Sequence, residues 1–161
     1  MSRTLIAFGT RYGATAEVAQ EIAGILQEIY HLEVDLVDLS SRDIKNLQLY
    51  NNIIVGSGIK MGRWTGKARR LLQQFHKKCP QGKKLAVFVC SGRAGEPDQY
   101  DFAIERYVRQ VILRCLKTTK PVAYEAFGGR KPLPDHTFKD NRDWGKIREW
   151  AHHVGRIFSS D

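Results

Sequence analysis

Leu5-Ile6-Ala7-Phe8-Gly9-Thr10-Arg11-Tyr12-Gly13-Ala14-Thr15 decides the fold. Leu5 to Phe8 is a continuous apolar run, the pattern of a strand buried on both faces. Beyond Thr15, Val18, Ile22, Ile25, Leu26 and Ile29 recur at the spacing of one helical face. The seven residues between hold two threonines, two glycines and no acid. A helix opening behind such a turn, with Thr15 or Ala14 near its N-cap, aims unpaired N–H groups and a partial positive charge into it. Those amides, with the Thr10 and Thr15 hydroxyls, form a setting for a phosphate.

The same alternation continues outward. Glu33 to Leu39 alternates apolar and acidic residues, as an edge strand does, whereas Tyr50 to Val55 and Leu85 to Cys90 are near-continuous apolar runs suited to central parallel strands. Pro121 to Phe127 reads as a fifth strand with proline at its entry. Helical spacing of apolar residues predicts helices over about 65–78, 98–117 and 143–158, and residues 40–49 form a short irregular connection. Five strands alternating with helices make a doubly wound α/β sandwich, expected as a single domain over 1–161. Right-handed crossovers and two polar-alternating edges give the strand order 2-1-3-4-5. Ligands of such sheets bind beyond the carboxyl ends of the strands, here between the first and third.

Three glycine-bearing loops converge on that edge. The first is the turn already quoted. The second is read as Gly56-Ser57-Gly58-Ile59-Lys60-Met61-Gly62-Arg63-Trp64 and the third as Ser91-Gly92-Arg93-Ala94-Gly95, running on to Tyr100. Small residues let backbone approach a flat ligand, and Trp64, Met61 and Tyr100 are the expected stacking surfaces. A dinucleotide fingerprint would need Gly-x-Gly-x-x-Gly straight after the first strand, and a P-loop would need Gly-Lys-Ser/Thr; neither is present.

Lys and Arg number 26 against 17 Asp and Glu, a net charge of +9. Nine of the basic residues lie between Lys60 and Lys84, a stretch without an acid, so this one stretch carries the whole excess. Such a field draws anionic partners: an acidic protein, a polyanionic small molecule, or a membrane surface touched peripherally. Nucleic acid is not expected, because the apolar residues among these charges are core positions and no stacking aromatics face outward. The expected setting is the cytoplasm, with the thiols of Cys79, Cys90 and Cys115 reduced and outside any metal-ligand spacing. Cys90 reads as a small buried hydrophobe and the five histidines as surface or structural residues.

The order of elements, Thr10-Arg11-Tyr12-Gly13-Ala14-Thr15 and the glycine-aromatic loops resemble the flavodoxin superfamily over essentially the whole chain. Tyr12 stands where the middle hydroxyl residue of the superfamily's Thr/Ser-x-Thr-Gly-x-Thr turn usually is. Within the superfamily, Thr10-Arg11-Tyr12-Gly13-Ala14-Thr15, Ser57-Gly58-Ile59-Lys60-Met61-Gly62 and the basic charge are most similar to the branch containing menaquinone-dependent protoporphyrinogen dehydrogenase. The resemblance implies FMN as cofactor. Its phosphate would rest on Thr10, Gly13, Ala14 and Thr15 with Arg11 as countercharge. Its ring would lie between the second and third loops, on Trp64 or Met61 and on Tyr100, meeting backbone N–H groups of Gly58–Lys60 and Gly92–Ala94. Lys60, Arg63 and Arg93 would favour the reduced, anionic flavin, and together with Arg130 and Lys131 would attract porphyrinogen carboxylates, with a quinone as acceptor. Porphyrinogen-oxidising members carry a long extra segment after the fifth strand, whereas Gly128 to Asp143 here spans only 16 positions. The alternative is an electron carrier whose basic helix docks an acidic redox partner.

Overall fold

A computed structural model describes residues 2–78 and 82–160; Cys79 lies outside the described residues. The elements are β1 (Arg3–Gly9), α1 (Ala14–Glu28), β2 (Glu33–Asp38), β3 (Asn52–Lys60), β4 (Arg63–Trp64), α2 (Gly66–Lys78) and β5 (Lys84–Cys90). There follow α3 (Tyr100–Ala103), a π-helical stretch (Ile104–Arg109), α4 (Gln110–Leu116), β6 (Ala123–Phe127), β7 (Arg130–Pro132), β8 (Phe138–Asp140) and α5 (Trp144–Ser159). A single 3₁₀ turn, Leu47–Leu49, occupies the expected irregular connection.

The main sheet runs β2-β1-β3-β5-β6 with every pairing parallel. This is the order 2-1-3-4-5 expected of the five principal strands. Side chains alternate across it as the strand period of two requires. Leu5, Ala7, Ile53, Val55, Leu85, Val87 and Val89 join one apolar core with Leu71, Leu72 and Phe75 of α2 and Val108, Ile112 and Leu116. Ile6, Phe8, Ile54, Ala86 and Phe88 join the other with Val18, Ile22 and Leu26 of α1 and Ile147, Trp150 and Val154 of α5. In that second core Trp150 packs edge-on against Phe88 and Phe127, whose rings are tilted to each other, at centroid separations of 5.7–6.0 Å.

The structure changes one expectation about the strand ends and adds an element beside them. The second loop is not a loop: β3 runs on through Gly56, Ser57, Gly58 and Ile59 to Lys60, then turns back into β4. Lys60 pairs with Arg63 across a two-residue turn, and both Met61 (φ 52°) and Gly62 (φ 75°) have the positive φ of a type I′ hairpin. The return segment after β6 is also ordered, as the β7–β8 hairpin, in which Arg130 pairs with Asp140. Arg142 pins that hairpin to the main body: its guanidinium, with the side chain 4% exposed, binds Glu17 at 2.8 Å and Asp140 at 2.7 Å and donates to the Ala14 carbonyl. The Asp140 partner holds the Arg142 pKa above its ordinary value, and Arg142 holds the Asp140 carboxyl below its own.

Candidate ligand site at the strand ends

The turn after β1 is built by its own side chains. Thr10 Oγ1 accepts the Gly13 N–H at 2.9 Å, and Gly13 caps α1 at φ 83°, a conformation that selects glycine. The helix therefore begins at Ala14 behind a glycine cap with no side-chain cap bond, rather than capping at Thr15 or Ala14. Its first main-chain bond runs from the Glu17 N–H to the Gly13 carbonyl at 3.2 Å, which leaves the amides of residues 14–16 without an intrahelical acceptor.

The turn lies against β3 because Gly58 has no side chain. A Cβ there would stand 3.1 Å from Thr15 Oγ1 and 3.2 Å from Arg11 Cγ. Ala14, Thr15, Gly58, Cys90, Ser91 and Gly92 form the inner part of a cavity of about 220 Å³. Its outer part is cationic: Arg11 and Lys60 from the first two segments, and Arg130, Lys131 and Lys139 from the β7–β8 hairpin. Tyr12, Ile59, Met61 and Gly129 complete the lining, and no carboxylate is among it. Cys90 forms part of the floor; burial pushes its thiol up to about 12, against the weaker pull of the Thr15 hydroxyl and Arg142. It is therefore a neutral, inert thiol at physiological pH.

A second cavity of about 530 Å³ shares Ile59, Met61 and Ser91 with the first. Gly62 and Arg63 of the hairpin, Arg93, and then Phe102, Arg106 and Tyr107 line the rest, again with no carboxylate. A third, of about 210 Å³, lies on the far side of the loop after β5 and takes Ala94, Gly95 and Tyr100.

Of the expected binding residues, Arg11, Tyr12, Ala14, Thr15, Gly58, Ile59, Lys60, Met61, Ser91 and Gly92 thus share one cavity, while Gly62 and Arg93 lie on its neighbour. Thr10 and Gly13 shape the turn from behind. Four expectations fail. Trp64 is buried, its indole N–H donating to the Tyr107 carbonyl at 2.6 Å, so its ring is not a stacking surface. Tyr100 faces the third cavity, where its hydroxyl donates to Glu125 and Lys146 Nζ sits 3.9 Å from its ring centroid. Burial first, then Glu125, raise its pKa. The Ser57 hydroxyl is spent inside the hairpin, donating to the Gly58 carbonyl and accepting the Thr65 N–H, both at 2.9 Å. In the loop after β5, the Arg93 amide donates to Ser91 Oγ and the Ala94 amide to the Ser91 carbonyl, so neither faces a ligand. The Arg11 guanidinium, for its part, donates to the Trp64 carbonyl at 3.1 Å and ties the turn to the hairpin.

Some lining residues were not foreseen. Gly129 and Lys139 reach the site only because residues 130–140 form a hairpin, for which Leu133-Pro134-Asp135-His136 was the available turn signal. Phe102, Arg106 and Tyr107 come from the start of a helix read only for its core face. Asn141 lies behind both loops: its amide donates to the Gly92 carbonyl at 2.8 Å and to Glu96 at 3.1 Å, and its oxygen accepts the Gly129 N–H at 2.9 Å. Among the described residues there is no group of acids, histidines and cysteines able to hold a metal ion, and no helix long and apolar enough to cross a membrane.

Three uncommitted amides at a helix start, a bare glycine that lets backbone close in, and five cations without a carboxylate make a site for a phosphate-bearing ligand. No curated protein sequence matches the chain. Among solved structures it is similar to oxidised Flavodoxin 1 from Bacillus cereus, at TM-score 0.64 and 20% identity over 98% of this chain and 97% of that one. It is also similar to a mutant flavodoxin from Fusobacterium nucleatum bound to flavin mononucleotide, at TM-score 0.52 and 14% identity over 86% and 75% of the two chains. A third likeness is to the rubredoxin oxygen:oxidoreductase of Desulfovibrio gigas, at TM-score 0.61 and 15% identity, covering 98% of this chain and 36% of that one. These identities speak to the fold. Residues 5–149 match the family described as Flavodoxin domain, and with nearly the whole chain so covered, the protein belongs to the flavodoxin domain family.

Proposed function

We propose that the cation-lined groove holds FMN and that the protein is an FMN-dependent oxidoreductase of the protoporphyrinogen dehydrogenase type. The observation that carries the cofactor is the turn of residues 10–15, with its free helix-start amides, seated against Gly58. Ala14 and Thr15 would hold the phosphate through backbone N–H, with Arg11, Lys60 and the hairpin cations neutralising it. Bound there, FMN supplies one- and two-electron transfer. The chain supplies position and field: Lys60, Arg130 and Lys131 favour added negative charge in the groove, and so favour the reduced cofactor. The buried, neutral Cys90 thiol closes the floor without taking part.

The basic rim suits a substrate bearing carboxylates, as a porphyrinogen does, and a quinone would accept the electrons. The competing reading is an electron carrier. It is supported by the short, closed β7–β8 return and by α2, which carries Lys67, Arg69, Arg70, Lys77 and Lys78 without an acid and could dock an acidic redox partner. The absorption spectrum of the purified protein, with its acid extract run against FMN and FAD standards, tests the cofactor. A colourless protein that takes up no FMN at micromolar concentration refutes it. Turnover of protoporphyrinogen with menaquinone by the FMN-loaded protein then separates enzyme from carrier, since a carrier gives none.

A further inference from the structure

We infer that the second cavity is a subsite for an oxyanion-bearing co-substrate, with its carboxylates or phosphates on Arg63, Arg93 and Arg106 and its apolar body on Phe102, Met61 and Ile59. Calling the ligand a co-substrate, and the charge count that follows, rest on the FMN reading above; the geometry of the anion site does not. The first argument is charge balance. Eight cations line the two joined cavities, and no carboxylate does. A phosphomonoester brings about two negative charges, and a reduced flavin adds one. The five cations of the first cavity, of which Lys139 also faces Glu96, already outnumber those three charges, which leaves the three arginines of the second without a counter-ion.

The arginines are placed for such a ligand. They come from three separate segments, β4, the loop after β5 and the π-helical stretch, and converge on one concave surface. None has a carboxylate partner among the described residues, whereas nearby Arg109 pairs with Glu105 and Lys139 with Glu96. The Phe102 ring lies between two of them, with the Arg93 guanidinium 4.9 Å and that of Arg106 5.8 Å from its centroid. Ring stacking leaves the guanidinium edges, with their forked N–H donors, open to oxyanions. The π turn is held in place by the Tyr107 carbonyl, which accepts the Trp64 indole N–H, and turns of this kind recur at functional sites. Beside the charges, Phe102 is 44% and Met61 91% exposed, so the cavity presents an apolar patch edged by cations. That combination fits an amphiphilic small molecule with anionic groups better than a broad protein surface.

The test titrates the FMN-loaded protein with protoporphyrin IX as carboxylate probe and NADP⁺ as phosphate probe. The dimethyl ester of the porphyrin is the uncharged control, and all are repeated on R63Q/R106Q. Expected is micromolar binding of one anionic probe, weaker by about tenfold or more in the double variant and for the ester in the porphyrin case. R63K/R106K should keep part of the affinity, and melting curves confirm that both variants are folded. The porphyrin arm reports carboxylate recognition and the NADP⁺ arm phosphate recognition. Binding of neither probe, equal binding by R63Q/R106Q, or a porphyrin that binds equally as acid and ester overturns the proposal. So does saturable binding only to an acidic redox protein. Flavin absorbance in the same samples reports separately on the cofactor, and the titration without flavin still decides the anion site.

Discussion

Asn141→Ala isolates the residue that joins the two loops around the groove. Its side chain makes three hydrogen bonds, to the Gly92 carbonyl (2.8 Å), to Glu96 (3.1 Å) and from the Gly129 N–H (2.9 Å), and the bare faces of Gly95 and Gly128 close on it. A Cβ at Gly95 would fall 2.3 Å from Asn141 Cγ, so this is a fitted contact. At roughly 1 kcal/mol net per bond, the alanine variant loses about 2–3 kcal/mol. For a chain of this size that lowers Tm by roughly 5–10 °C. Gly92 and Gly129 both line the first cavity, so FMN dissociation should quicken in the same variant. Asn141→Asp sharpens the test. It keeps an acceptor for Gly129 but removes both donors and sets a second carboxylate beside Glu96. It should be at least as unstable as the alanine variant at neutral pH, because the new carboxylate faces Glu96 with no donor between them. Urea titrations of both variants, read by circular dichroism, are sufficient. A loss under about 0.5 kcal/mol for Asn141→Ala would show that water replaces these bonds and that Asn141 is no staple.

Gly58→Ala forces a methyl group to within 3.1 Å of Thr15 Oγ1 and 3.3 Å of the Arg11 amide, so FMN affinity measured by fluorescence quenching should fall by about tenfold or more; an unchanged Kd refutes the cradle. Cys90 predicts an alkaline limb: its thiol stays protonated in the fold to about 12 while the unfolded thiol ionises near its ordinary value, so folding is favoured less as pH rises from about 9. Relative to Cys90→Ala, the wild type should lose roughly 1 kcal/mol per pH unit across that window, and parallel urea curves for the two proteins refute it. Trp64→Phe removes the bond to the Tyr107 carbonyl and should cost about 1–3 kcal/mol while leaving FMN affinity little changed, in contrast to a ring that stacks on the flavin. Inorganic phosphate should raise the stability of the flavin-free protein by about 1.4 kcal/mol at ten times its Kd, and sodium chloride at matched ionic strength should not.

The parts of the fold that were legible are those whose signal is local. Buried central strands read as unbroken apolar runs because both their faces are covered, and the amphipathic helices each turn one periodic stripe to one of two cores. The turn of residues 9–15 was legible as a turn for the same reason, although its cap is Gly13 and not Thr15 or Ala14, and Thr10 is held by the Gly13 N–H. What escaped the sequence is set by distant neighbours. Gly56, Ser57 and Gly58 read as a loop, yet they continue β3. Gly56 is small because Phe88 fills its space, and Gly58 because the first turn crosses it. Trp64 read as a stacking ring, but its N–H needs a partner once buried and finds it 43 residues away. No pattern in residues 98–117 announces the π turn that positions that partner, because the apolar stripe continues through it.

The helix opening at Ala14 follows directly on the carboxyl end of β1, so its N-terminal partial charge falls on the groove. The lining side chains repeat that sign instead of opposing it. Such a cluster is tolerable because its charges are on the surface, where water screens each repulsion, while the two apolar cores carry the stability. Acids are kept elsewhere: α1 bears Glu17, Glu21 and Glu28 and no basic residue, on the opposite face of the sheet from α2. Glu17 is also one of the two carboxylates that bury Arg142, so the acid nearest the first turn is spent on anchoring the cationic hairpin and does not neutralise the groove. Backbone dipoles, side chains and the disposition of the acids therefore select the same kind of ligand, an anion, by three independent means.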